Sequence, residues 1–327
     1  MGKLIQRTGQ QEMDKTARFE GCLLGLACGD AVGTTVEFRA RGTFKPVTDM
    51  TGGGPFGLKC GEWTDDTSMA LCIATSLVER RGFDARDIMD RFCRWMDDGY
   101  LSSNGTCFDI GGTVSDALQR YKETGDAYAG SKDPYSAGNG CLMRLAPIPM
   151  FFHANHDVAV EKSGLSSRLT HGAAECVDAT RLFGAMLVRA LEGRSKHEIL
   201  NGHDLSESAS ARVKALAAGS YLSKDEDDIR GSGYVIDSLE AALWCFAHTS
   251  SFDAAILRAA NLGQDADTTA AICGQIAGAH YGVTGIPVRW LERLAMREQI
   301  RELAKQLKPH PTIIKQTRLR GRSLCGS

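Results

Sequence analysis

One segment limits the architecture more than any other: Thr268-Thr-Ala-Ala-Ile-Cys-Gly-Gln-Ile-Ala-Gly-Ala-His280. As a helix it is so apolar that it must be buried, and Gly274, Ala277 and Gly278 let neighbouring backbones approach closely. Such a helix belongs at the centre of a large bundle. The rest of the chain agrees. Apolar residues recur at three- and four-residue spacing in Ala17–Ala31, Thr67–Arg80, Asp84–Met96, Gly112–Tyr121, Gly172–Glu192, Tyr234–Ala247, Phe252–Asn261, Thr268–Tyr281 and Val288–Gln306. No comparable alternating run of β-branched residues is present, so an all-α fold is expected.

At 327 residues the chain has about twice the usual domain length, which leaves the number of domains open. It has no internal repeat and no Pro/Ser-rich linker, so a single compact domain over 17–308 is expected. A short tail, 1–16, would precede it. The basic stretch 309–327, with Lys315, Arg318, Arg320 and Arg322 among polar residues, is expected to be a solvated, disordered end. Segments 39–61, 122–140 and 201–233 read as irregular, and long loops in a compact domain often sit at the functional site.

Composition excludes several classes. The hydrophobic fraction is 43%, the charged fraction 24% and the net charge −2. These are the values of an ordinary globular protein with no electrostatic case for nucleic acid or membrane. The N-terminal twenty residues are too polar for a signal peptide, and no stretch approaches the ~20 apolar residues of a membrane helix. The expected location is cytoplasmic. Eleven cysteines are dispersed through apolar patterns without a CxxC pair, which reads as buried reduced thiols and argues against a zinc site.

Two acidic clusters carry the chemistry. Thr64-Asp65-Asp66-Thr67-Ser68 precedes one apolar helix, and Asp265-Ala-Asp267-Thr268-Thr269 opens the buried one. Alone, either reads as ordinary helix capping, because Thr, Asp and Ser are normal first-turn residues that favour the helix dipole. Together they bring four carboxylates to a buried bundle with no Lys or Arg nearby in sequence, and an unpaired buried carboxylate is costly. Carboxylates with threonine hydroxyls form an oxygen-only set that selects hard divalent cations, and four negative charges would balance two of them. Magnesium or manganese is the expected metal; neither cluster has the spacing of an EF-hand loop. Asp30 reads as a structural acid at a helix end, and Glu37 either as a surface charge or as a functional acid.

These motifs add up to a recognisable pattern. The chain resembles the ADP-ribosylglycohydrolase family, particularly its bacterial branch that includes dinitrogenase reductase-activating glycohydrolase. The likeness runs from about Phe19 to Leu307. It rests on Gly21-Cys-Leu-Leu-Gly-Leu-Ala-Cys-Gly-Asp-Ala-Val-Gly33 with Glu37, Trp63-Thr-Asp-Asp-Thr67, Asp109-Ile-Gly-Gly-Thr113, Gly138-Asn-Gly-Cys-Leu-Met-Arg144, Leu169-Thr-His171 and Asn261-Leu-Gly-Gln-Asp-Ala-Asp-Thr-Thr269. The resemblance implies an all-α orthogonal bundle and a binuclear magnesium or manganese centre with Thr64, Asp65, Asp66, Asp265, Asp267 and Thr268 as ligands. It also implies hydrolysis of the bond between ADP-ribose and a modified side chain, so ADP-ribose and an ADP-ribosylated protein are the expected partners. Glu37 and Asp109 match the acid that moves the proton. Gly112, Thr113, Gly138, Asn139, Gly140 and Cys141 match helix starts whose N–H groups suit a pyrophosphate, and His171 a phosphate or ribose contact. Tyr234, after Gly231-Ser-Gly233, could stack on adenine, although a buried aromatic is as good a reading. Cys141 stands where Ser is frequent and Gln264 where Gly is frequent.

The stretch Asp109-Ile-Gly111 looks like the arginine-specific branch, making N-glycosidic ADP-ribosyl-arginine the first expectation, with ADP-ribosyl-serine or free ADP-ribose derivatives as alternatives. Two rivals compete with this reading. His156-Asp157 suggests a His-Asp metal phosphohydrolase, though Asn155-His156-Asp157 also reads as a helix start. A non-catalytic ADP-ribose-binding protein on the same fold is the other.

Overall fold

The computed structural model describes residues 2–308, with side chains from residue 15; the basic stretch 309–327 lies outside them. The described residues form fifteen α-helices and no strand. In chain order these are α1 (Gly2–Gly33), α2 (Asp65–Arg80), α3 (Ala85–Asp98), α4 (Gly112–Thr124), α5 (Gly140–Met143), α6 (Pro147–Phe152), α7 (His156–Ser167), α8 (Ala174–Leu191), α9 (Lys196–Leu200), α10 (Ala211–Ala217), α11 (Val235–Ala247), α12 (Phe252–Asn261), α13 (Ala266–Tyr281), α14 (Val288–Arg293) and α15 (Arg297–Gln306). None of them is long and apolar enough to cross a membrane.

The centre is the pair α1 and α13. Glycine recurs at every fourth position of α1, at Gly21, Gly25, Gly29 and Gly33, which puts all four on one stripe of the helix. A methyl group added at Gly25 would stand 2.4 Å from the carbonyl oxygen of Gly274, and one added at Gly274 would stand 2.1 Å from that of Gly25. The two backbones therefore touch directly, and each glycine's poor helix propensity is offset by the closeness it permits. The stripe ends at Gly33, which lies against the backbone of Asp267. Close packing of α1 on α13 thus fixes where the second acidic cluster sits.

Three expectations need correction. The first helix begins at Gly2, inside the segment read as a tail. The pattern over Val288–Gln306 is two helices, because the chain breaks at Leu294–Met296, with Met296 at φ 52°. There Ala295 N–H donates to Gly61 at 2.9 Å and the Trp63 indole donates to Ala295 at 3.2 Å, so tertiary pairing overrides the periodicity. The segment 201–233 contains α10, capped by Ser210, which accepts from Val213 N–H at 3.2 Å.

Candidate active site

Five helix starts in the fold show ordinary side-chain capping. Asp84, Asn155, Ser195, Ser210 and Ser251 each accept from a backbone N–H of their own helix. The two acidic clusters do not. Neither Thr64 of α2 nor Asp265 of α13 makes a side-chain cap. The start of α2 is held by Asp30 at the far end of α1. Its Oδ1 accepts from the Thr64 amide and hydroxyl, both at 2.9 Å; its Oδ2 accepts from the Thr67 amide at 3.1 Å and hydroxyl at 2.6 Å. Asp30 was read as a structural acid; it is a structural acid of the site.

That arrangement frees the other side chains to face one another. The Thr64 hydroxyl lies 3.3 Å from Asp267 Oδ2 and 3.5 Å from Asp66 Oδ2, and the Thr268 hydroxyl lies 3.4 Å from Asp66 Oδ2. Residues some two hundred positions apart thus cross over into one centre. Glu37, Asp109 and Asp267 offer carboxylate oxygens that all lie within 4.8 Å of one another. The sequence separated metal ligands from proton-moving acids; the geometry does not, since Glu37 and Asp109 join Asp267 in one cluster.

Seven acids converge here: Asp30, Glu37, Asp65, Asp66, Asp109, Asp265 and Asp267. Burial, reinforced by the neighbouring carboxylates, pushes Asp65, Asp66 and Asp267 well above the ordinary carboxylate range. Burial likewise raises Glu37 to about 9 and Asp109 to about 7. Asp30 is raised by burial only to about 6, because four hydrogen bonds oppose the shift. Oδ1 of Asp66 and Oδ1 of Asp267 are buried with no hydrogen-bond partner. Orphaned oxygens in a crowd of carboxylates and neutral hydroxyls are the donor set of a hard divalent cation.

A buried cation does exist, which sequence order concealed. Arg144, 1% exposed, donates to the Thr170 hydroxyl at 2.5 Å, approaches Met69 Sδ at 3.3 Å and lies over the Phe92 ring at 4.7 Å. Among the described residues no ion pair joins it to a carboxylate. One guanidinium cannot pair seven acids, and the raised carboxyls hold protons in its place.

The cluster forms the floor of a cleft of about 570 Å³, whose walls include Gly112, Thr113, Gly138, Asn139, Gly140 and His171. His171 ends a relay. Arginine can only donate, so the Thr170 oxygen accepts from Arg144, and the Thr170 hydroxyl is hydrogen-bonded to His171 Nδ1 at 2.8 Å. Burial and Arg144 lower the imidazole pKa to about 3, so the ring is neutral. A methyl at Gly140 would lie 2.7 Å from this ring, which is why glycine stands there.

Of the substrate contacts expected from the sequence, Gly138 and Asn139 line the cleft with their N–H groups already used, and Cys141 and Tyr234 lie outside its lining. The Asn139 amide donates to Asp265 Oδ2 and to the Ser238 hydroxyl, both at 2.7 Å, so it holds a cluster acid, and its backbone N–H is used by Gly233 at 3.1 Å. The Gly138 N–H is likewise used, by Ser136. Cys141 does not line the cleft; its thiol points into the core toward the carbonyls of Gly138 and Cys176. Tyr234 also stands outside the lining, where its hydroxyl donates to Glu175 and accepts from Arg212. His156 and Asp157 lie elsewhere, at the exposed start of α7, where Asn155 caps the helix. Sequence reasoning missed Phe38 and Phe56 in the cleft wall; the adjacency of Phe38 to Glu37 was the available signal.

An all-helical fold with a buried, oxygen-only acid centre at the floor of a cleft is an arrangement that suits a hydrolase. Comparison with known proteins narrows this. The sequence model of the ADP-ribosylglycohydrolase family matches residues 11–315, and the chain belongs to that family. It is 46% identical to ADP-ribosylarginine hydrolase Tri1 of Pseudomonas putida (strain GB-1) over 92% of this chain and 79% of that one. It is 32% identical to ADP-ribosyl-[dinitrogen reductase] glycohydrolase of Rhodospirillum rubrum over 88% of this chain and 93% of that one. A solved ADP-ribosylglycohydrolase-related protein complex superposes with a TM-score of 0.78 at 42% identity, covering 90% of this chain and 98% of that one.

Proposed function

We propose that this enzyme hydrolyses the N-glycosidic bond of ADP-ribosyl-arginine on a modified protein, with two magnesium or manganese ions in the acid centre. The observation that carries the reading is the crossing of Thr64 with Asp267 and of Thr268 with Asp66, which merges two distant acidic motifs into one centre beneath the cleft. The similarity to a hydrolase named for ADP-ribosylarginine supports the choice of acceptor.

Thr64, Asp65, Asp66, Asp265, Asp267 and Thr268 would hold the cations, and the two orphaned carboxylate oxygens suit that role. Bound cations would polarise the vicinal hydroxyls of the distal ribose and a nearby water. The protein's own groups do the rest. The Thr64 hydroxyl gives its proton to Asp30 and keeps its lone pairs turned to the centre. His171 is neutral, and with its proton on Nε2 it would donate to a phosphate oxygen, while the loop at Gly138–Gly140 lets the diphosphate approach closely. Glu37 and Asp109, adjacent in the cleft lining, act as a carboxyl pair that shares one proton. Water oxygen bonds to the anomeric carbon as the carbon–nitrogen bond breaks. The pair takes the water proton and delivers it to the departing guanidine, which leaves as guanidinium.

Arginine- and serine-linked ADP-ribosyl substrates, incubated with and without a chelator, test this reading. Release of ADP-ribose from the arginine linkage is expected, with loss of about a thousandfold or more in Asp65→Ala, in Asp267→Ala and under chelation, since each removes several kcal/mol of electrostatic stabilisation. Undiminished release in all three would overturn it.

A further inference from the structure

We infer that Phe38 and Phe56, with Phe108 packed behind Phe56, form the acceptor subsite, an aromatic rim that stacks the guanidinium of the modified arginine. The inference rests on the arginine reading above and deepens it.

Phe38 is 68% exposed, among the few large apolar side chains so placed. It immediately follows Glu37, and both line the cleft together with Phe56 and Asp109. The Phe38 and Phe56 rings meet edge to face with centroids 6.4 Å apart, and Phe56 meets Phe108 at 5.2 Å. The three rings come from separate segments: the turn after α1, the glycine-rich loop before α2, and the residue preceding Asp109. Sequence proximity therefore does not explain their meeting.

Backbone conformation does not favour this placement either. Phe38 has φ 62° and Asp109 φ 60°, left-handed values costly for residues with a side chain. Phe38 is held there by its N–H donating to Gln264, which is itself at φ 59° and donates to Arg39, both at 2.7 Å. A large ring kept in water by a strained backbone contributes little to the core. What it does is share the cleft lining with Glu37 and Asp109.

The chemistry of that lining is specific. Aromatic faces attract a planar cation, and guanidinium, weakly hydrated and flat, stacks on them better than ammonium. Glu37 and Asp109 add negative charge on the same side. The glycosidic nitrogen of the substrate must lie at these acids, so the remainder of the guanidinium group falls on the rim. A hydroxyl acceptor such as serine has neither the charge nor the plane to use it.

The test uses Phe38→Ala, Phe56→Ala, the double variant and Phe38→Trp, with ADP-ribosyl-agmatine as a small guanidinium substrate that carries no protein surface. The double variant is expected to lose about five- to thirtyfold in kcat/KM, mostly through KM, with Phe38→Trp near wild type. Affinity for free ADP-ribose, measured by calorimetry, is expected to stay unchanged, which also reports that the variants are folded. The subsite is overturned if the double variant hydrolyses ADP-ribosyl-agmatine as well as wild type does, or if ADP-ribose binding weakens equally. It is also overturned if the loss appears with an ADP-ribosylated protein but not with ADP-ribosyl-agmatine, since the rim would then dock protein surface. Failure of the wild-type enzyme to cleave ADP-ribosyl-agmatine at all, with ADP-ribose still bound, would instead bring down the arginine reading and the subsite with it.

Discussion

Two buried acids near two consecutive helix starts meet opposite fates. Asp87, in the first turn of α3, is 8% exposed, and Asp66, in the first turn of α2, is 1% exposed. Burial alone would push both up. At Asp87 hydrogen bonds from Arg91 at 2.7 Å and Arg80 at 2.9 Å outweigh burial and hold the carboxyl below its usual range. At Asp66 the neighbours are more acids, and the carboxyl is driven well above that range. One acid is paired with cations of its own chain; the other, among the described residues, has no ion pair. The difference separates a structural acid from a functional one, and the local sequence, rich in acids at both starts, does not reveal it.

The comparison breaks hardest at Arg91. This side chain is itself buried and also reaches Glu79 at 2.5 Å and the Tyr100 hydroxyl at 3.1 Å. Arg91→Met strips Asp87 of its closest cation, and removal of one partner from a buried pair costs about 3–5 kcal/mol. Urea denaturation of the variant is expected to show a loss near the lower figure, because Arg80 remains. Metal binding at the other centre should be unaltered. A loss below about 1 kcal/mol would mean that Asp87 is not held down by its partners.

The same comparison sharpens with pH and metal. For the chelated protein the sign is set by the raised values: folded carboxyls near 6 at Asp30, 7 at Asp109 and 9 at Glu37 hold protons that unfolded ones release near 4. Stability is therefore greatest at the acid end of this window and falls as pH rises from about 4 to 9, whereas Asp87 contributes the reverse and loses its stabilisation as pH drops below about 4. Magnesium or manganese at a hundred times its dissociation constant is expected to restore about 2.7 kcal/mol. Thermal melts across pH, with and without metal, check both slopes. A chelated protein that gains stability toward pH 9 would refute the account.

How much of this was legible depended on the kind of information involved. Helix positions followed from apolar spacing, and Phe252–Asn261 agrees to the residue. The pattern failed where a distant chain intervened, as when Gly61 and Trp63 break the last predicted helix at Ala295. The two acidic motifs were visible, and so was the strain on capping as their explanation. The roles of Asp30, Arg144 and Asn139 were not, because each acts across the fold on a residue at least 26 positions away, and hydrogen-bond direction has no sequence signature. Cys141 and Tyr234, expected at the substrate as a backbone N–H donor and an adenine stack, lie outside the cleft lining.

Asp30 offers the finest way to sharpen the contrast, because it is an acid whose neutralisation comes from neither a guanidinium nor a cation. Four N–H and O–H donors from Thr64 and Thr67 serve it, and in return it sets the direction of the Thr64 hydroxyl. Asp30→Asn keeps one acceptor oxygen and replaces the other with an NH2 group facing the Thr67 amide, so one helix-start N–H loses its partner. That defect opposes the relief gained by removing one charge from the cluster, and the melting temperature of the chelated variant should move little. Metal affinity should fall about 10- to 100-fold, the usual effect of disturbing a group that orients a ligand. Isothermal titration with manganese reads the affinity and a melt reads the fold. If Asp30 serves only as a cap for α2, the melt will shift and the affinity will hold; the opposite pattern identifies it as the residue that turns Thr64 into a ligand.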